Sequence, residues 1–435
     1  MRCMISGAGS GCGKTTVTMA LLSKLQRAQI SVAGFKSGPD YIDPGFHTLA
    51  LGKPSHNLDP FLMSEIGIAQ VLQLGMQGAK LGIIEGAMSY YDGIGPDGDC
   101  SAHTLAQITR TPVILIIDAS GSASGAAAVA LGFQTYKPDN QIVGFLLNGI
   151  SSRSHFELVQ CAIEKRTGLP CIGFMKKDPT ISLQSRHLGL VQASELAEFA
   201  NMLNRAEEAL QIDQDRLLEI ASNAPQLSAR PLVVEEANKG FRMGVAKDAA
   251  FSFYYEANLE MLRLMGMELI PFSPISDQQI PPDLDGLYLG GGYPELHLDA
   301  IHANQSMLQS IKTALERGLH CYAECGGMML LTQAINSVPM VGFFPFECNM
   351  TNRLQRFGYV NVTDRANGLQ FRAHEFHHSL ESGDEGIEKA FEIQRASGKG
   401  EPWLGGYRKQ NTLAAYPHVH FWGNEALVKA LWQIP

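Results

Sequence analysis

One cysteine stands in a setting that suits nucleophilic chemistry. Cys325 lies between an apolar segment, 321–323, and an apolar, helix-forming run that opens with two glycines. A small-residue turn between strand and helix is the layout of a nucleophile elbow, which lifts its nucleophile into a pocket. The following helix would point a partial positive charge at the sulfur and favour the thiolate. We therefore predict a nucleophile at Cys325 rather than a buried small hydrophobe, with a partner base at His418 or His420.

A second chemical feature, a phosphate-binding loop, lies near the start of the chain. The apolar pair Met4-Ile5 leads into it as a short strand, and Val17, Leu21 and Leu25 then mark one face of a helix. In such loops backbone N–H groups wrap the phosphates, the lysine reaches the β- and γ-phosphate oxygens, and the next hydroxyl ligates Mg²⁺. The predicted ATP-binding residues here are Ala8, Gly9, Ser10, Gly11, Cys12, Gly13, Lys14, Thr15 and Thr16, with Thr15 also on the metal.

The loop after the second predicted strand, 31–36, gathers polar side chains. That strand ends at Lys36, and Asp40, Tyr41 and Asp43 follow in a stretch whose prolines and glycine define tight turns. Loop residues placed beside a phosphate-binding strand are candidates for a metal or a substrate site. A solvated turn is the open alternative for them.

Strands that alternate with helical stretches must position these groups. The segments 80–85, 111–118 and 142–148 are aliphatic and end in Glu85, an aspartate and Asn148. Near-continuous aliphatic strands are typical of a buried parallel sheet, whose carboxyl ends share one edge. The fold class is therefore predicted as α/β, a P-loop domain with a doubly wound, mostly parallel sheet. Glu85 at that edge is a second candidate ligand for nucleotide-bound Mg²⁺, and Asn148 could contact a base.

The rest of the chain predicts a second α/β unit. We place a P-loop domain, predicted to bind ATP, at 1–192, a helical segment and linker at 193–240, and a domain that carries Cys325 and His418 at 241–435. The predicted strands of the last domain are 241–246, 267–270 and 286–289, followed by a β-rich stretch at 364–416.

Composition limits the classes of function. The 435 residues include 45% hydrophobic and 18% charged side chains, with a net charge of −9 and eight scattered cysteines. No basic stripe favours nucleic acid, no apolar run could span a bilayer, and no signal peptide is visible. Cysteines without zinc-site spacing favour free thiols in a reducing cytoplasm. A homo-oligomer is left open.

The two sites together address one energetic problem, making an amide from a carboxylate. Oxide is a poor leaving group, so the carboxylate must become an acyl phosphate, which needs ATP and Mg²⁺. Ammonia is mostly protonated at neutral pH, and a cysteine site that releases it from glutamine by thioester chemistry supplies the free base.

Longer motifs carry a resemblance to a known family. The chain resembles the cobyrinic acid a,c-diamide synthases of corrinoid biosynthesis, in which a dethiobiotin-synthetase-like ATPase is fused to a class I glutamine amidotransferase domain. The resemblance runs over essentially the full length. It rests on 36–44 (KSGPDYIDP), 84–88 (IEGAM), 91–93 (YDG), 185–191 (SRHLGLV), 246–255 (AKDAAFSFYY), 287–297 (LYLGGGYPELH), 322–327 (YAECGG), 353–359 (RLQRFGY) and 374–377 (HEFH).

The resemblance implies roles for individual residues. In the amidotransferase domain it implies Cys325 as nucleophile and His418 as base, with the oxyanion hole formed by Gly291, Gly292 and Gly326. In the ATPase domain it implies that Glu85 and an acid from the Asp40/Asp43 loop complete the Mg²⁺ site, and that Asn148 contacts adenine. It implies that the residues facing the tetrapyrrole carboxylates are Lys36, Tyr41 and Asp92.

The sequence also departs from related patterns. Most triad amidotransferases place Glu two residues after the base, and here that position is His420, so the group that orients His418 is unidentified. The resembled family shares this absence, which favours a Cys–His pair over a dead site. Ser89 and Tyr90 replace a more usual Gly and aliphatic residue, and Pro417 replaces an aliphatic residue.

We therefore predict an ATP- and glutamine-dependent ligase that amidates the a and c side chains of cobyrinic acid. The same chemistry on hydrogenobyrinic acid or nickel sirohydrochlorin is an alternative that the sequence does not separate. A P-loop regulatory ATPase with an inactive amidotransferase domain is a weaker alternative, because Cys325 and His418 are both present.

Overall fold

The computed structural model describes residues 1–181, 193–227 and 240–432. The described residues form two compact units: 1–60, 64–181 and 193–227 in the first, and 61–63 and 240–432 in the second. The motif at 185–191 and the linker residues 228–239 lie outside the described residues.

The first unit alternates strands and helices. Its elements are β1 Arg2–Gly7, α1 Lys14–Arg27, β2 Val32–Ser37, α2 Ile42–Leu51, β3 His56–Leu58, α3 Glu65–Gly75, β4 Leu81–Glu85, α4 Ala102–Thr109, β5 Val113–Asp118, α5 Ser124–Tyr136, β6 Ile142–Ile150, α6 Arg153–Thr167, β7 Cys171–Lys176, α7 Ala193–Ala209, β8 Leu210–Ile212 and α8 Gln214–Ser222.

Within the described residues, eight of these strands form one sheet in the order β3-β2-β4-β1-β5-β6-β7-β8. All neighbours pair in parallel except β7 and β8, which are antiparallel. The central strands are buried on both faces, which is why they read as continuous aliphatic runs. The predicted fold class is confirmed.

The segment predicted as a helical pair contains more than helices. Strand β8 lies between α7 and α8 and pairs with β7, so this stretch extends the first sheet. Three residues are too short for a periodic signal in the sequence, and their strand conformation depends on the neighbour that supplies the hydrogen bonds.

The second unit begins with parallel strands and continues with antiparallel ones. Its elements are β9 Arg242–Ala246, α9 Glu256–Leu264, β10 Glu268–Phe272, β11 Gly286–Leu289, α10 Leu298–Ala303, α11 Gln305–Glu316, β12 His320–Glu324, α12 Gly326–Leu331, β13 Ala334–Ile335, β14 Val338–Pro339, β15 Glu347–Met350, β16 Arg356–Asp364, β17 Gln370–His377, β18 Ser379–Ser382, β19 Lys389–Arg395, β20 Trp403–Lys409, β21 Thr412–Ala415, β22 His418–Val419 and α13 Glu425–Leu431.

In the described part of this unit a ten-stranded sheet runs β10-β9-β11-β12-β21-β20-β19-β16-β17-β22, and a small sheet runs β14-β13-β15-β18. Only Tyr416 and Pro417 separate β21 from β22, yet β22 pairs with β17 at the far edge of the large sheet. The sheet therefore curls back, which brings the end of β17 beside the end of β12: the Phe376 carbonyl oxygen lies 4.0 Å from the Cys325 sulfur.

No helix in the described ranges is long and apolar enough to cross a membrane.

Candidate active sites

Cys325 forms a strained turn between β12 and α12. Its backbone has φ 48° and ψ −105°, a left-handed conformation that a residue with a side chain rarely adopts. Its N–H donates to the Ala415 carbonyl at 2.8 Å, which ties the turn to the neighbouring strand β21. These are the features of a nucleophile elbow, the geometry predicted for this cysteine.

Glycines pack tightly around the elbow. A Cβ at Gly326 would lie 3.1 Å from the Gly292 nitrogen, so these two backbones are in close approach. Gly292 has φ 155°, and a Cβ there would lie 2.0 Å from the Ala250 carbonyl oxygen. Only glycine fits both positions. The predicted oxyanion residues Gly292 and Gly326 are thus brought together beside Cys325.

His418 lies in the same site, from the far end of the sequence. Its side chain is buried, and a Cβ at Gly291 would lie 2.5 Å from its Cε1 atom. Burial disfavours the charged imidazole, but hydrogen bonds to Cys325 and Glu324 outweigh it and raise the pKa of His418 to about 10. A charged imidazole beside a cysteine is the arrangement that supports a thiolate nucleophile.

Glu324 is a residue of this site that the sequence reasoning missed. Its side chain is 2% exposed, and Oε2 lies 3.6 Å from Nδ1 of His418. The Val419 N–H donates to Oε1 at 3.2 Å and the Tyr288 hydroxyl donates to Oε2 at 3.2 Å. A carboxylate at the end of an otherwise apolar strand was the available signal, because buried acids need a dedicated partner.

His420 has a different environment from His418. It is fully buried, and its ring lies against the Tyr255 ring with centroids 4.9 Å apart. Of the two histidines considered as the base, His420 is thus an interior packing residue in the structure.

In the first unit the P-loop joins β1 to α1. The Lys14 ammonium donates to the Gly9 carbonyl at 2.9 Å, and burial lowers the pKa of Lys14. Asn148 donates to the Cys12 carbonyl at 2.9 Å, and Gly13, with φ 92°, has no room for a Cβ beside the Asn148 amide. The described contacts of Asn148 therefore support the P-loop backbone, and its contact with adenine stays a prediction.

A cluster of charged groups lies at the start of α1. The Thr15 hydroxyl donates to Glu85 at 2.8 Å and to Asp43 at 3.3 Å. The Lys36 ammonium lies between the same two carboxylates, 2.8 Å from Glu85 and 2.5 Å from Asp43. Although Lys36 opposes the effect, burial and the nearby Glu85 raise the pKa of Asp43 to about 7. The structure thus brings together four residues predicted for metal and substrate.

His47 supports this cluster from α2. Its Nε2 lies 2.7 Å from the Glu85 carboxylate and its Nδ1 lies 3.2 Å from the Ser55 hydroxyl. Burial would raise the pKa of Glu85, but Lys36 and His47 outweigh it and hold that pKa well below its usual range. His47 could not be assigned a role from the sequence, because its partner Glu85 is far along the chain.

The donor set of this cluster fits Mg²⁺. No group of three or more His, Cys, Asp and Glu side chains in the described ranges is arranged to hold a metal. Mg²⁺ at a nucleotide needs fewer protein ligands, because phosphates and waters complete its octahedron. Two carboxylates and a hydroxyl, from Asp43, Glu85 and Thr15, are adequate for that role, with Lys36 now in the position of a cation between them.

The other predicted residues of this loop region lie apart from the cluster or on its margin. One Asp40 oxygen accepts from the N–H groups of Ile42 and Asp43, so this carboxylate shapes the start of α2. Tyr41 is half-buried at the first turn of that helix. Asp92 is exposed and accepts from the Ser89 N–H at 3.3 Å.

Comparison with known protein families assigns the two units. Residues 3–191 match the family described as CobQ/CobB/MinD/ParA nucleotide binding domain, and residues 242–426 match the CobB/CobQ-like glutamine amidotransferase domain. The fold and sites therefore define a glutamine-dependent, amide-forming ligase with a nucleotide-binding domain.

Full-length relatives narrow this class. The cobyrinate a,c-diamide synthase of Listeria innocua is 38% identical over 99% of this chain and 98% of its own length. That of Clostridium acetobutylicum is 40% identical over 98% of this chain and 99% of its own length. That of Priestia megaterium is 34% identical and covers 98% of this chain and 95% of its own. The chain belongs to the cobyrinate a,c-diamide synthase family.

Proposed function

We propose that this protein uses ATP and glutamine to amidate the a and c side-chain carboxylates of cobyrinic acid. The observation that carries the proposal is the full-length similarity to synthases of that name, at 34–40% identity over 98–99% of the chain. Within the chain, the strained Cys325 elbow beside His418 and the Thr15 cluster at the P-loop supply the two half-reactions that such an enzyme needs.

The P-loop unit activates the carboxylate. A carboxylate oxygen of the substrate attacks the γ-phosphorus of ATP, the bond to the β-phosphate oxygen breaks, and an acyl phosphate and ADP result. Lys14 balances charge on the β- and γ-phosphates. Thr15, Asp43 and Glu85 would hold Mg²⁺, and the bound ion would offset the charge of the transferred phosphoryl group.

The amidotransferase unit releases ammonia. The Cys325 sulfur attacks the side-chain amide carbon of glutamine, with its proton held by His418, and the N–H groups of Gly292 and Gly326 stabilise the tetrahedral oxyanion. His418 returns the proton to the departing nitrogen, so ammonia leaves and a thioester remains. Water then hydrolyses the thioester to glutamate. Ammonia attacks the acyl phosphate and expels inorganic phosphate, which completes the amide.

Residues near the P-loop are proposed to bind the tetrapyrrole and the adenine of ATP. Lys36, Tyr41 and Asp92 are proposed to face the tetrapyrrole carboxylates, and Asn148 the adenine. Lys36 is paired with Asp43 and Glu85, the two acids that would hold Mg²⁺, so its ammonium would bind a substrate carboxylate beside that site.

Product mass tests the proposal directly. The protein is incubated with ATP, Mg²⁺, glutamine and cobyrinic acid, with hydrogenobyrinic acid and nickel sirohydrochlorin in parallel reactions. We expect two amidations of cobyrinic acid, with ADP and glutamate released. If only another tetrapyrrole is amidated, the proposed mechanism would stand, but that tetrapyrrole and not cobyrinic acid would be the substrate. Absence of any amide product, despite ATP binding, would contradict the proposal and favour a regulatory ATPase.

A further inference from the structure

A buried carboxylate lies beside His418, the proposed base, and it comes from an unusual position in this chain. Glu324 is the last residue of β12 and directly precedes the nucleophile, whereas the position two residues after His418 holds a second histidine. That histidine, His420, lies against Tyr255 and offers no carboxylate. An oriented imidazole therefore needs its partner from another strand.

Glu324 has the position and the environment of such a partner. Its Oε2 lies 3.6 Å from Nδ1 of His418, which leaves Nε2 as the ring nitrogen for the Cys325 sulfur. The carboxylate is itself fixed by the Val419 N–H and the Tyr288 hydroxyl, at 3.2 Å each. Val419 is the neighbour of His418, so the same carboxylate holds both the ring and the backbone of β22. Hydrogen bonds at resting catalytic sites are often long and tighten when charge develops.

We propose that Glu324 is the positioning residue of the glutaminase site, which holds His418 through Nδ1–H and stabilises its imidazolium while Cys325 reacts. This inference rests on the proposed function, because it assigns a part in the same glutaminase half-reaction. The proton moves from the Cys325 sulfur to Nε2 of His418 and then to the leaving ammonia. Glu324 takes no part in the proton transfer itself and contacts no substrate atom.

Other titratable groups face Glu324 and His418, and they could also affect the pH dependence of the glutaminase. Tyr288 and Tyr322 interact with Glu324 from β11 and β12, and burial holds both phenol pKa values well above their usual range. His374 and Glu375 interact with His418 from β17. Burial lowers the pKa of His374 to about 3, so it stays neutral, and raises the pKa of Glu375 to about 7.

The test variant is Glu324→Gln, which keeps the shape and removes the charge. Glutaminase kcat and KM are measured across pH, together with synthesis from added ammonia. We expect kcat to fall about 10²- to 10⁴-fold with the KM for glutamine nearly unchanged. The alkaline limit of kcat should move to lower pH, because His418 loses the partner of its charged form. Synthesis from ammonia should persist and show that the chain is folded. Glu324→Asp, which keeps the carboxylate, should retain part of the glutaminase kcat and the alkaline limit of the wild type.

Asp364→Asn is the matched control. Asp364 is also a buried carboxylate of this unit, and its ion-pair partner is Arg408, at 2.7 Å. We expect this variant to lose stability but to keep the wild-type pH profile.

Two results would overturn the inference. One is a Glu324→Gln protein with wild-type glutaminase kcat and pH profile. The other is an equal loss of kcat in Glu324→Gln and Asp364→Asn with neither pH profile altered, which would reduce Glu324 to a structural group. A wild-type protein without glutaminase activity would instead remove the proposed function itself, so the two failures are separate.

Discussion

Gly291 lies directly against the ring of His418: a Cβ on residue 291 would stand 2.5 Å from the Cε1 atom and 3.4 Å from Nδ1. The glycine is therefore needed for a reason of space, because His418 is buried and the interiors of proteins are closely packed. This contact links the loop after β11 to the proposed base of the glutaminase site.

Gly291→Ala should displace His418 and impair glutamine hydrolysis. A displacement near 1 Å at a reacting group costs about 10²-fold in rate, and we expect a loss of that order in glutamine-dependent synthesis. Gly405→Ala is the matched control, since its Cβ would meet only the end of the Ile393 side chain, at 3.0 Å. Equal activity of both variants with glutamine would contradict the close packing of Gly291 and His418.

Cys325→Ala should separate the two half-reactions. Without the sulfur no thioester can form, so glutamine-dependent synthesis should fall by at least about 10⁴-fold, while synthesis from added ammonia continues. Both rates are followed by product mass. Cys161→Ala, which removes an exposed thiol of the other unit, should keep both. Loss of the ammonia reaction in folded Cys325→Ala would refute a separate ammonia-releasing site.

Lys14→Ala should stop synthesis from either nitrogen source. Lys14 is the buried P-loop ammonium, and without its charge carboxylate activation loses the stabilisation of the phosphates, by about 10²-fold or more. ADP release is the direct measurement. Lys80→Ala, at an exposed lysine, is the control and should leave ADP release unchanged. Retained synthesis in Lys14→Ala would rule out its role on phosphate.

Folding stability should depend on pH through His418. Its pKa rises from an ordinary 6.5 to about 10 in the folded protein, so folding favours the protonated form. The resulting stabilisation is complete below about pH 6.5 and is lost as pH rises towards 10. Urea midpoints of the wild type and His418→Gln should therefore converge between pH 6.5 and 10. A constant difference over that range would show that His418 is not charged in the folded state.

Local motifs made much of both sites predictable. The P-loop and the Cys325 elbow are each set within about ten residues, so their residue types and the flanking strand and helix were visible in the sequence. The parallel direction of the strands in the first sheet could be predicted because continuous aliphatic strands are typical of a sheet that is buried on both faces.

Pairings between distant segments were not predictable. Asp40 and Asp43 are equivalent as loop acids, and only the fold shows that Asp40 shapes a helix start while Asp43 meets Thr15. Glu324 and His418 are 94 residues apart, and their proximity depends on the curl of the large sheet. Sequence periodicity describes faces of single strands and carries no information on which strands meet.

That curl also governs when the glutaminase can appear during synthesis of the chain. Because β22 pairs with β17 at one sheet edge while β12 lies deep in the parallel part, the base reaches the nucleophile only after β16 to β21 have all been paired. A ribosome-bound chain that already contains Cys325 but not yet residue 418 lacks the proposed base, so we expect it not to hydrolyse glutamine. On the proposed mechanism, glutamine hydrolysis therefore begins only after the ATP-binding unit has been translated, which gives that unit time to fold.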